Sequence, residues 1–344
     1  MATTIKELVV FSKQFAVMLQ AGLPLVQALQ ILANGQTNKK FQKVILGIKE
    51  SVESGTTLTE AFQKFPNIFD SLFISMIEAG EKSGSLDLIL ARLANKLEKN
   101  MKLQREVRTA FIYPLVVTFI AIVVTAILLY FVVPTFAEIF AEVGSDLPLP
   151  TRVVIALSDF VVNNALLLLV LFIAFCWLIV FFPKTEKGKT LFHPILIKLP
   201  FFGEIIKKVS IARFARTLSV MLSSGVDLLS AIKICSQTAG NVVVGNALNK
   251  VVEGVNEGKT LSEPLIETHI FSDMVSSMIQ VGEVTGNLDT MLTKIADFFE
   301  DEVESVVSVL KQLIEPVIIF VLGIIIGALV ISMYLPIFKL GSVV

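Results

Sequence analysis

The sequence predicts an all-α, polytopic membrane protein with two homologous cytoplasmic helical bundles, of about six helices each, and three transmembrane helices. Three observations carry this reading. First, with 54% hydrophobic and 17% charged residues among 344, and a mean hydropathy of +0.77, the chain is too apolar for an ordinary soluble protein. It is also too charged to lie wholly within a bilayer. Second, three stretches free of charge are long enough to cross a membrane. Third, the chain repeats itself: FSKQFAVMLQAGLPLVQAL from Phe11 aligns with FARTLSVMLSSGVDLLSAI from Phe214 at an offset of 203. The offset hardly drifts afterwards, because GEKSGSLD at Gly80 matches GEVTGNLD at Gly282 at 202. Pro114 and Pro134 fall on Pro316 and Pro336 at the same interval.

Residues 1–110 read as the first cytoplasmic helical domain. Phe11, Phe15, Met18 and Leu19, then Phe41, Ile45, Ile48 and Val52, then Phe69, Phe73, Met76 and Ile77 recur at three and four, the spacing of a core-facing helical stripe. Breaks fall at Gly22 to Pro24, Asn34 to Asn38, Gly55, Pro66 and Gly80 to Gly84. Strand-like alternation between turn residues is absent, which argues against an α/β nucleotide-hydrolysing core. Residues 111–133 form the first transmembrane helix, 23 uncharged residues. At about 1.5 Å per residue they span about 35 Å, against a hydrocarbon core of about 30 Å. This segment begins too deep in the chain to be a cleaved signal peptide. Residues 134–164 are an external loop and helix, and 165–182 the second transmembrane helix, the densest part of an uncharged run from Phe160 to Phe182. Residues 183–312 repeat the first domain, 313–338 form the third transmembrane helix, and 339–344 are an external tail, KLGSVV. The second span has no counterpart in the repeat. It returns the chain to the cytoplasm, so that both helical domains share one side.

Orientation follows from the flanks. Six basic residues lie between Arg92 and Arg108 and eight between Lys184 and Arg216, whereas Pro134 to Asn164 holds only Arg152. By the positive-inside rule the N-terminus and both helical domains are cytoplasmic.

Composition also excludes several functions. A net charge of −1, one Trp and three Tyr leave little with which to bind nucleic acid. Cys176 and Cys235, and His193 and His269, are too widely spaced for a metal or redox site and read as packing residues. No acid–base, nucleophile or metal constellation is present, so neither an enzyme nor a cofactor is expected.

GVNEGKT, 254–260, resembles a phosphate-binding loop but holds three residues between its glycines where four are required, and it follows a helical pattern in place of a strand. Gly188-Lys189-Thr190 has Pro183 where the first glycine should stand. The first-half counterpart, SVESGTT at 51–57, lacks the lysine altogether. Both copies instead read as a helix end, Gly55 or Gly258, followed by a capping box, Thr57 with Glu60 and Thr260 with Glu263.

The doubled Gly-Glu-x-x-Gly-x-Leu-Asp marks Gly80, Glu81 and Gly84, with Gly282, Glu283 and Gly286, as candidate partner-contact or turn residues. On one reading Gly80 and Gly282 end a helix in a left-handed conformation, Ser85 and Asn287 cap the next, and Asp87 and Asp289 complement its positive end. On the other, Glu81 and Glu283 face a partner or a cation, because helix geometry alone does not require them.

A last contrast separates the two copies. Arg92 to Arg108 carries six basic and two acidic residues, while Lys294 to Leu310 carries one basic and five acidic residues, Asp297 among them. Lys99, Lys102 and Arg105 on one helix, and Glu300, Asp301 and Glu304 on the other, are therefore candidates for charge pairing between helices, within one chain or across a dimer. The alternative is that both faces are merely solvated.

KLPFFGEIIKKVSIARFARTLSVMLSSGVDLLSAI, the paired Gly-Glu turns, LPLPTR at Leu147 and EPVIIFVLGIIIGALVISMYLPIF at Glu315 together resemble the inner-membrane platform family (PilC/GspF) of type IV pilus and type II secretion machines. The likeness covers essentially the whole chain. It implies a non-enzymatic, multi-pass protein of the bacterial cytoplasmic membrane. Its helical domains would dock a hexameric assembly ATPase, or a retraction ATPase, and its membrane part would receive pilin or pseudopilin subunits. Other inner-membrane assembly proteins, the lipid bilayer and a homodimer or small homo-oligomer are the further partners implied. Family members often carry several dozen residues before the first helical domain, which here starts almost at Met1. The alternative from another class, an oligomeric transporter or channel subunit, requires ionisable or strongly polar residues within the bilayer, and the runs 111–133, 160–182 and 316–338 hold no Asp, Glu, Lys, Arg or His.

Overall fold

The computed structural model describes residues 5–143, 148–168, 170–172, 174, 185–199 and 202–341. Met1, Ser145, Leu147, Cys176, Pro183, Lys184, Pro200 and Phe201 lie outside them, as do most of the predicted second span, 165–182, and residues 342–344 of the tail. The described residues form helices joined by turns, with no strand among them.

One compact unit comprises residues 1–105 and 189–304. Its first half contains α1 (Ile5–Gln20), α2 (Leu25–Asn34), α3 (Lys39–Glu53), α4 (Leu58–Gln63), α5 (Ser71–Ser83) and the start of α6 (Leu86–Ile127). The starts are fixed by short polar side chains: Asn38 accepts from the Lys40 N–H at 3.1 Å and Asp70 from that of Phe73 at 2.8 Å. Phe11, Phe15, Phe41, Phe69, Phe73, Met76 and Ile77 are all buried, as their spacing predicts. Their rings interlock edge to face or tilted, with Phe11 and Phe41 centroids 5.6 Å apart and Phe62 and Phe69 4.5 Å apart. The second half repeats the pattern with α11 (Phe202–Ser223), α12 (Leu228–Thr238), α13 (Val242–Asn256), α14 (Ser262–Glu267), α15 (Asp273–Thr285) and the start of α16 (Leu288–Gly341). Its core keeps Phe214 and Phe271 in contact at 5.1 Å, and sets Leu218, Val244, Leu265 and Val275 at the positions of Phe15, Phe41, Phe62 and Phe73. Backbone geometry repeats closely: φ is +92° at Gly55 and +91° at Gly258. Before α11, α10 (Glu186–Lys198) brings the His193 Nδ1 to accept the Val242 N–H at 3.1 Å, at the start of α13. His193 thus serves as a cap, and Cys235 is buried in the core, its thiol pushed up to about 12 by burial.

The other unit comprises residues 106–188 and 305–344. Here α6 passes Pro114 and continues through a π-helical turn, Leu128–Val132, into α7 (Val133–Val143). Next come α8 (Leu149–Asn163) and the helical residues α9 (Ala165–Phe172), bent by 76° from it, and finally the apolar part of α16. Among the described residues two helices are long and apolar enough to cross a membrane, and three are if the bent pair forms one span.

Two local expectations are overturned. Gly80 and Gly282 do not end helices; they lie within α5 and α15, and the left-handed residues are Gly84 and Gly286, with φ of +70° and +72°. The Ser85 N–H bonds back to the Gly80 carbonyl at 3.1 Å and that of Asn287 to Gly282 at 3.0 Å, so each turn closes as a Schellman motif. Ser85 and Asn287 stand before their helices, but the Ser85 hydroxyl pairs with that of Ser83 and the Asn287 amide donates to the Thr285 carbonyl. The second capping box is also absent. Thr57 and Glu60 form theirs, whereas α14 begins only at Ser262, and the Thr260 hydroxyl meets that of Ser262 instead. Pro264, at the third position of α14, and a different acid account for this change.

Candidate functional site

The acid is Glu283. Its carboxylate accepts the N–H groups of Leu261 and, at 3.1 Å, Ser262, capping α14 from the neighbouring helix α15. Glu81 does the same in the first half, accepting from the N–H of Leu58 at 2.5 Å and of Thr59 at 2.9 Å, and from the Thr59 hydroxyl. A negative charge over the free N–H groups of a short helix is placed where its dipole and hydrogen bonds both favour it. The doubled turn is thereby accounted for residue by residue. A Cβ on Gly80 would stand 3.1 Å from the Leu86 backbone, and one on Gly282 2.9 Å from that of Leu288, so glycine lets α5 and α15 approach the helices that follow. Gly84 and Gly286 turn the chain, and Asp87 and Asp289 sit in the first turns of α6 and α16. Among the described residues no group of three potential metal ligands occurs.

Charged side chains gather where α6, α11 and α16 meet within the same unit. Lys99 Nζ lies 2.8 Å from Asp297 and 3.3 Å from Glu300, and Lys102 Nζ lies 3.5 Å from Glu304. Arg105 and Asp301, also named from sequence, are exposed. Arg216, on α11, organises the group: its side chain is only 8% exposed, and it holds Asp297 and, at 2.9 Å, Glu300. Burial opposes the charge on Arg216, but the hydrogen bonds it donates to Glu300 and Asp297 outweigh it and hold its pKa above the usual value. Burial likewise works against the Asp297 carboxylate, and Lys99 and Arg216 prevail and hold its pKa below the ordinary range. Lys208 adds a neighbouring bridge to Glu302 at 2.8 Å.

Lys96 stands apart. Counted from sequence as part of a basic flank, it is buried, only 4% exposed, in the same unit as Asp70, Arg213 and Cys235. Burial pushes its pKa down to about 8, Asp70 pulls it up and Arg213 pushes it further down.

In the second unit an apolar groove of about 910 Å³ runs between helices. Its lining includes Ile122 and Tyr130 from α6 and the π turn, Val161 from α8, Leu168 from α9, and Val321 and Ile325 from α16, and among the described residues that line it the Tyr130 phenol is the one ionisable group.

A sequence profile described as "Type II secretion system (T2SS), protein F" matches this chain twice, over residues 11–134 and 214–336. The two matches are set apart by the interval of the internal repeat. The chain belongs to the type II secretion protein F family. Relatives in this family include the type IV pilus assembly protein PilC of Myxococcus xanthus, 43% identical across 98% of this chain and 81% of that protein. PilC of Thermus thermophilus is 42% identical across 98% and 83%. The type II secretion system protein F of Aeromonas hydrophila is 34% identical across 98% and 87%.

Set on the family's repeat, the charged residues that sequence reasoning passed over become legible. Arg216 corresponds to Lys13, and Glu300 to Glu98. Lys13 Nζ binds Glu98 at 2.6 Å, so both copies keep a cation on their first helix against an acid on their last. The signal was present in the alignment of the two halves. It was missed because charge was compared along single helices and not between the helices of one repeat. Asp297 and Lys99 have no such counterparts: Asn95 and Asp301 occupy the related positions, and the additional bridge joins the two halves.

Proposed function

We propose that this chain is the inner-membrane platform of a type IV pilus or type II secretion machine, coupling a cytoplasmic assembly ATPase to the insertion of pilin or pseudopilin subunits. The double match to the family, at the interval of the helical repeats and with relatives named for pilus assembly and type II secretion along nearly the whole chain, carries the reading. The helical repeats, 1–110 and 183–312, face the cytoplasm and the ATPase, and residues 134–164 and the tail lie outside. A groove whose described lining holds no carboxylate, amine or guanidinium group suits an apolar helix of a filament subunit better than a transported ion or polar solute. No catalytic role is assigned to any residue.

The test is genetic. Removing the gene from its host should abolish surface filaments or filament-dependent secretion, and expression in trans should restore them while pilin synthesis stays constant. Filaments assembled normally without the gene would overturn the proposal.

A further inference from the structure

LPLPTR, singled out in the sequence, has no part in the account so far, and neither has the repeated pair Pro134 and Pro336. The structure joins them. In an α-helix each carbonyl accepts the N–H four residues on, and proline has none to give. Pro336 therefore leaves the Ser332 carbonyl without its helical partner. In the other copy the helix widens to a π turn over Leu128–Val132, where the Val133 N–H reaches the Leu128 carbonyl. The next carbonyl in that five-residue register, Leu129, faces Pro134 and is left over in the same way.

Both gaps are closed by one helix. The Thr151 hydroxyl, from LPLPTR, donates to the Ser332 carbonyl, and the Ser158 hydroxyl donates to that of Leu129. Thr151 and Ser158 are two turns apart on α8, so they share a face, and both are buried, at 3% and 1% exposure. Around them Leu129, Val133 and Leu329 form a small core against Val154 and Ile155 of α8. At a site as buried as this one, where water cannot serve, a carbonyl freed by proline must find a donor on a neighbouring helix.

We propose that Thr151 and Ser158 are positioning residues: α8 clasps the two proline-broken membrane helices through the two carbonyls the prolines set free, and so fixes their spacing. The consequence for function rests on the platform reading above. Leu129, which the clasp holds, and Val161 of α8 both line the apolar groove, so the clasp sets the width available to an entering helix.

The full chain, with Cys176 and Cys235 replaced by Ala, would carry spin labels at Glu138→Cys on α7 and Ile331→Cys on α16, both exposed positions. In nanodiscs the pair should give one narrow distance distribution. Thr151→Val with Ser158→Ala, which remove only the donors, should broaden it at least twofold, and Thr151→Ser with Ser158→Thr should leave it narrow. Pro134→Ala supplies the missing N–H, so in that background Ser158→Ala should be silent. An unchanged width in the donor-less variant, or equal broadening by Ser158→Ala with and without Pro134, would overturn the clasp. If the widths behave as stated but the donor-less variant assembles filaments at the normal rate, the clasp stands and its link to platform function falls.

Discussion

Thr57 and Thr260 occupy equivalent positions and do different work, which makes them a direct comparison at the residue scale. Thr57 accepts the Glu60 N–H at 3.1 Å within a complete capping box, and Thr260 caps nothing. Thr57→Ala should therefore lower the stability of the helical unit by about 1 kcal/mol in chemical denaturation, and Thr260→Ala by well under that. Equal losses would contradict the assignment of the second cap to Glu283. Lys96 offers a second test. Its pKa, about 8 in the folded protein against an ordinary 10.5, lies below the unfolded value, so burying the charged form costs stability in full below pH 8. Between about pH 8 and 10.5 the folded form loses its proton first, and the cost fades as pH rises. Lys96→Met should stabilise the unit by about 1–3 kcal/mol at pH 7, with a smaller gain at pH 10. Destabilisation at pH 7 would mean that the ammonium holds a partner the unit needs.

At the scale of the elements, the ion pairs between α6, α11 and α16 differ in worth because they differ in exposure. Arg216 is nearly buried and grips two carboxylates, so Arg216→Ala should cost about 2–3 kcal/mol. Lys102 and Glu304 are 67% and 58% exposed, and Lys102→Ala should cost at most about 0.5 kcal/mol. The order, read from thermal or denaturant unfolding of the two variants, would be reversed if the exposed pairs dominated. Because the Asp297 pKa is lowered in the folded state, its contribution is present above the ordinary carboxylate range and is lost as pH falls through the folded value.

The helices themselves were legible from period and punctuation. Apolar residues three and four apart locate α1, α3 and α5, and the breaks at Gly22, Gly55 and Gly84 hold because each adopts a positive φ that other residues resist. What escaped were bonds between segments distant in sequence. Nothing near Glu81 announces that it caps α4, 22 residues upstream at Thr59, and nothing near Thr151 announces Ser332, 181 residues away. The burial of Lys96 was hidden for the same reason, since a basic residue on a flank looks solvated until the neighbouring repeat covers it.

For the whole molecule, one duplicated design accounts for most of what is described. Each half builds a helical bundle closed by a Gly-Glu turn and then runs into a proline-punctuated membrane helix. The halves diverge in the charge on the turns that lead into their long apolar helices and in the size of their core side chains. The family assigns such a chain to pilus assembly and type II secretion proteins. On the proposed reading the chain works as a platform between an ATPase and filament subunits. Affinity capture of the tagged chain from its native membrane under mild detergent, followed by identification of the bound proteins, puts this to the test. A platform should bring down a hexameric cytoplasmic ATPase and a pilin-like subunit, both absent when an unrelated membrane protein carries the tag. Capture of neither, from cells that are assembling filaments at the time, would contradict it.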